Sequence, residues 1–76
     1  MKKDLSRYAN CSRDDIERVI DQFVICRRNA ERNRAILKRM LFDGISYEQI
    51  AEEFGLTPRQ ISNIIYETEE ILFKHL

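Results

Sequence analysis

The chain has 76 residues, 43% of them hydrophobic and 34% charged, a balance that suits one small folded domain and excludes a disordered tail. Two glycines and one proline leave few places to turn the chain, which favours helices over a sheet built from hairpins. Thirteen basic and thirteen acidic residues cancel, so total charge neither marks nor excludes a nucleic-acid ligand. Cys11 and Cys26 do not form a disulfide framework, and no apolar run is long enough for a signal peptide or a membrane span. The expected setting is reducing and cytoplasmic. With the lone His75 the cysteines lack metal-ligand spacing, so no metal or other cofactor is expected.

Residues 1–11 show no periodicity and are expected to form a flexible N-terminal arm, with one short turn around Leu5 and Tyr8. A single helical domain should occupy residues 12–76. Ser12 is placed to cap the first helix, and Asp14 and Asp15 suit the positive end of its dipole. Ile16, Val19, Ile20, Phe23 and Val24 follow at i, i+3, i+4, i+7, i+8, one face of a helix expected to reach about Arg28. Cys26 falls at the edge of that stripe as a small buried hydrophobe. Ile36, Leu37, Met40 and Leu41 form a second helical set whose centre is rotated from the first, so a break belongs near Asn29–Ala30. The second helix should run from about Glu31 to Phe42, closed by Gly44.

The third helix starts at Ser46, where "SYEQ" matches a capping box with Gln49 three residues on. Ile50, Ala51 and Phe54 should face inward before Gly55 stops it. Thr57, Pro58 and Gln60 repeat the arrangement, with proline at the first helical position where its missing N–H costs least. The last helix then runs toward the C-terminus, burying Ile61, Ile64, Ile65, Thr68, Ile71 and Leu72. The expected architecture is all-α: a small four-helix domain with a C-terminal helix-turn-helix at residues 46–66. That motif needs two short helices crossing steeply, for which Ala51 supplies a small side chain and Gly55 the turn.

Such geometry turns Arg59, Gln60, Ser62, Asn63, Tyr66 and Glu67 outward. Where a helix of this kind enters a major groove, Gln60 and Asn63 can pair with adenine edges and Arg59 with guanine or a phosphate. Ser62 and Tyr66 can reach backbone oxygens. Charge is unevenly spread: residues 1–43 hold eleven Lys/Arg against seven Asp/Glu, and residues 44–76 hold two against six. Within residues 27–39, six basic side chains face Glu31 alone, a pattern that serves either a solvated helix face or a phosphate-facing patch.

The run "ERNRAILKRMLFDGISYEQIAEEFGLTPRQISNII", residues 31–65, resembles region 4 of the sigma-70-family RNA polymerase sigma factors, most specifically in "LFDGISYEQIAEEFGLTPRQI". The resemblance covers over half the chain. It implies a helical domain that reads promoter DNA and docks on RNA polymerase. Arg59, Gln60, Ser62 and Asn63 match recognition-helix positions, and the helix bearing Arg34, Lys38 and Arg39 would lie near the DNA backbone or the polymerase. Family recognition helices are usually basic, whereas this one offers Arg59 and then Glu67, Glu69 and Glu70, acids that would repel phosphate if they faced the duplex. A promoter-melting domain is not expected in so short a chain, so the module would work with a sigma-type partner or as a stand-alone regulator. The alternative is a protein-interaction module of the same fold that binds RNA polymerase or a sigma or anti-sigma partner without reading DNA.

Arg59, Tyr66 and Phe73 recur at seven-residue spacing away from the buried stripe, and Phe73 is expected to find no place inside the molecule. A homodimer through the C-terminal helix follows as an expectation. No phosphate-cradling glycine loop and no histidine beside a nucleophile occur, so an enzyme is not expected and no residue is assigned a catalytic role.

Overall fold

A computed structural model describes residues 8–25 and 28–76. The Leu5 part of the turn expected around Leu5 and Tyr8, and the burial expected of Cys26, lie outside the described residues; at Tyr8 a turn is present, the Cys11 N–H donating to the Tyr8 carbonyl at 3.0 Å. Four helices follow in order: α1 (Arg13–Phe23), α2 (Ala30–Phe42), α3 (Tyr47–Phe54) and α4 (Pro58–His75). The fold is all-α, with no strand among the described residues. None of these helices is long and apolar enough to cross a membrane.

Side-chain caps explain the starts of α1, α3 and α4. The Ser12 hydroxyl accepts from the Asp15 N–H at 3.1 Å, with Asp14 and Asp15 in the first turn of α1. Asn29 precedes α2 without a side-chain cap. Ser46 accepts from the Gln49 N–H at 3.3 Å. Only the hydroxyl half of the expected capping box forms there, whereas at Thr57 both halves form.

α1 ends at Phe23, short of the expected Arg28. Beside that end, Arg34 of α2 donates from Nη1 to the Val24 carbonyl at 2.9 Å, tying the end of α1 to α2. Val24 is buried while the neighbouring Ile25 is 55% exposed, so the stripe ends where the helix does. Phe23, expected inside, sits at the rim. Its ring stacks on His75 with centroids 3.6 Å apart.

α4 is the pillar of the core and packs against each of the other three helices. Its Ile61, Ile65 and Leu72 meet Ile20 of α1, Ile36 and Leu37 of α2, and Ile50 of α3 as the fully buried aliphatic set. Each such side chain contributes roughly 1.5–3 kcal/mol of transfer free energy, an upper estimate because the unfolded chain is partly compact. Thr68 is buried as expected from the sequence, its hydroxyl returned to the Ile64 carbonyl at 2.8 Å. Ile64 and Ile71, expected inside, are half-buried at the edge of the stripe.

Three expectations about the ends of the chain are corrected. Tyr8 is not part of a loose arm: it is buried, its ring 5.2 Å from that of Phe73, and its hydroxyl donates to Oε2 of Glu69 at 2.5 Å. Cys11 is half-buried against the same core. Phe73 therefore has a place inside the molecule, which removes the ground for a dimer through α4. Glu69 is buried and held by the phenol, so it is not an outward acid like Glu67 and Glu70.

Candidate nucleic-acid interface

The segment from α3 to α4 is set by two residues that let the backbone turn and approach. Gly55 adopts φ 67°, ψ 34°, the left-handed conformation open to a residue without Cβ. Its N–H and that of Leu56 both donate to the Ala51 carbonyl. Ala51 is itself buried, so a small side chain stands where α3 meets the core. Thr57 then starts α4 at once, leaving Leu56 as the one residue between the turn and the cap.

This start fixes which side chains α4 presents. Ile61, Ile65 and Leu72 point inward, so Arg59, Gln60, Ser62, Asn63 and Tyr66 fall on the open side of the helix, and all five are exposed. Tyr66 is 67% exposed, unusual for a large aromatic ring. Among the described residues, the side chains of Arg59, Ser62, Asn63 and Tyr66 make no hydrogen bond or ion pair. Donors and acceptors along about two turns are thus uncommitted.

Gln60 differs. Its Oε1 accepts from the Thr57 N–H at 2.9 Å and from the Thr57 hydroxyl at 3.3 Å, while its own N–H donates to that hydroxyl at 3.1 Å. A bidentate pair with adenine needs the amide oxygen and the amide nitrogen together. The cap holds the oxygen, so the nitrogen alone is available while the capping box stands.

The basic side chains of α2 are likewise occupied. Arg34 closes α1 at Val24. Lys38 reaches back to α1, 2.8 Å from Oδ1 of Asp21 and 3.8 Å from Oε1 of Glu17. Arg39 reaches forward to α3 and forms a two-pronged pair with Glu53, Nε–Oε2 3.1 Å and Nη2–Oε1 2.8 Å. Its Nη1 bonds Oδ2 of Asp43 at 2.7 Å. The hydrogen bond that Arg39 donates to Glu53, then the one it donates to Asp43, raises its pKa and holds the guanidinium charged. Arg32 turns to the buried Asn33 amide oxygen at 3.3 Å. The run of cations in residues 27–39 is therefore not one free patch.

Two open hollows flank these elements. One, about 300 Å³, lies between α2 and α3 and is lined by Arg39, Ile45, Gln49, Glu52 and Glu53. The other, about 270 Å³, is lined by Tyr8, Arg13, Ile16, Leu41 and Phe42, with the Arg13 guanidinium 4.7 Å from the centre of the Phe42 ring. Among the described residues, no group of three or more His, Cys, Asp or Glu is placed to hold a metal ion.

Sequence reasoning missed Tyr8, Glu53 and Asp21 as partners. The Arg39–Asp43 contact, at i, i+4, carried a signal readable along one helix. No protein-family model matches this chain, and neither a curated protein nor a solved structure matches it.

Proposed function

We propose that the chain is a sequence-specific DNA-binding module of the sigma region 4 type, acting in transcription initiation or its regulation through the first turns of α4. One observation carries the proposal: Arg59, Ser62, Asn63 and Tyr66 share an exposed edge and spend none of their hydrogen-bonding capacity on the protein itself. Polar groups held ready at the start of a helix behind a tight turn match what a major groove requires. The α3–turn–α4 unit would serve as the helix-turn-helix, with Asn63 toward an adenine, Arg59 toward guanine or phosphate, and Ser62 and Tyr66 toward the backbone. Arg59 is the only cation of this edge, so log K should fall with log [salt] with a slope of about −1 to −2. The test is selection of bound sequences from a random duplex pool, with and without RNA polymerase. An enriched motif supports the proposal; failure to retain any duplex at low salt, with or without polymerase, overturns it.

The second reading, a protein-interaction module that binds RNA polymerase or a sigma or anti-sigma partner without reading DNA, is favoured by the internal pairing of Lys38 and Arg39. Co-purification with polymerase that survives nuclease treatment, together with no enriched motif, would select it.

A further inference from the structure

Lys38 and Arg39 stand on adjacent positions of α2 and are turned to opposite neighbours, the first to α1 and the second to α3. Each is met by two carboxylates from elsewhere in the chain, Asp21 and Glu17 for Lys38, Glu53 and Asp43 for Arg39. The Arg39–Glu53 pair has the parallel fork geometry that a guanidinium also makes with two oxygens of a phosphate. The ammonium of Lys38, 2.8 Å from Oδ1 of Asp21, has the distance of a phosphate contact. We propose that α2 carries a phosphate-contact face masked by the chain's own carboxylates, with Asp21 and Glu53 occupying the places that backbone phosphates of a duplex would take.

This rests on the DNA-binding function proposed above and names how that function is held in check. The mask is displaceable. The four carboxylate side chains are 44–50% exposed in their own right, and Lys38 and Arg39 keep 31% and 36% exposure. Ion pairs this open to water are weak and are screened by salt, so a polyanion that presents many phosphates at once can compete with them. Until it does, these two cations add little to duplex affinity, and binding is left to the edge of α4.

The experiment compares wild type with Glu53→Gln, Asp21→Asn and the double variant, measuring anisotropy of a labelled random-sequence duplex over a salt series. Glu31→Gln, which removes the same charge from an exposed acid that no described cation pairs with, is the net-charge control. Circular dichroism confirms that each variant is folded; either single variant suffices if the other is not. The expected result is about two- to fivefold tighter binding for each unmasked cation, with the salt slope steeper by about 0.9 per cation, and an unchanged slope for Glu31→Gln. Wild-type binding that Glu53→Gln and Asp21→Asn strengthen no more than the control, at an unchanged slope, overturns the mask and leaves the DNA-binding proposal standing. No binding by any protein at the lowest salt overturns both.

Discussion

Replacing Tyr8 with phenylalanine deletes one oxygen and keeps the ring against Phe73. In the structure that oxygen lies 2.5 Å from Glu69 Oε2, and each residue is only 7% exposed, so water does not readily take over the bond. Hydrogen bonds to charged groups contribute about 1.5–3 kcal/mol net. Glu69 makes a further interaction and is not left wholly without partners, which places the expected loss near the lower end, about 1.5 kcal/mol. For a domain of this size that corresponds to roughly 6–12 °C in Tm. Urea and thermal unfolding followed by circular dichroism give the value directly. A cycle with Glu69→Gln should return a coupling of about 1 kcal/mol between the two side chains. A stability change below about 0.5 kcal/mol would place Tyr8 among ordinary surface positions and refute the contact that ties the N-terminal segment to α4.

Gly55→Ala should lower stability by about 1–2 kcal/mol, because φ +67° is unfavourable for any side chain even though an added Cβ would meet nothing within 4 Å. Gly55→Asn, tolerant of that region, should recover part of the loss in the same melts. Arg59→Ala should weaken duplex binding and relax one base preference while leaving Tm within about 1 °C, since the exposed side chain makes no internal hydrogen bond or ion pair; a large loss of Tm would show that Arg59 is structural. Thr57→Ala should cost about 0.5–2 kcal/mol in the same melts by removing the hydroxyl half of the cap, while the N–H of residue 57 still holds the Gln60 amide oxygen, so base preference should stay unchanged.

The parts of this fold that could be read from the sequence are those whose causes lie within a few residues. Ser46 and Thr57 cap their own helices, Gly55 closes the one before it, and Ile61, Ile65 and Leu72 share a face because the helical period puts them there. The exposed edge of α4 follows from the same period, which is why Arg59, Ser62, Asn63 and Tyr66 could be named in advance. The remainder depends on partners distant in sequence. The Val24 carbonyl at the end of α1 meets Arg34, ten residues beyond, and the buried Glu69 meets Tyr8, 61 residues earlier. Arg39 meets Glu53 fourteen residues on. A string of cations in sequence looks like a basic patch; only when the helices pack do Arg34, Lys38 and Arg39 find their carbonyl and acids. Gln60 has a different lesson. One side chain was assigned two tasks, capping and base contact, and its single amide oxygen serves only the first.

Because α4 anchors the domain with one flank and leaves the opposite flank unspent, substitutions at positions 59, 62, 63 and 66 carry almost no folding penalty. Selection can therefore retune what this molecule recognises at little cost to its survival as a folded chain. Descendants of such a scaffold would be expected to differ most along that outer flank while their inner aliphatic stripe stays nearly fixed.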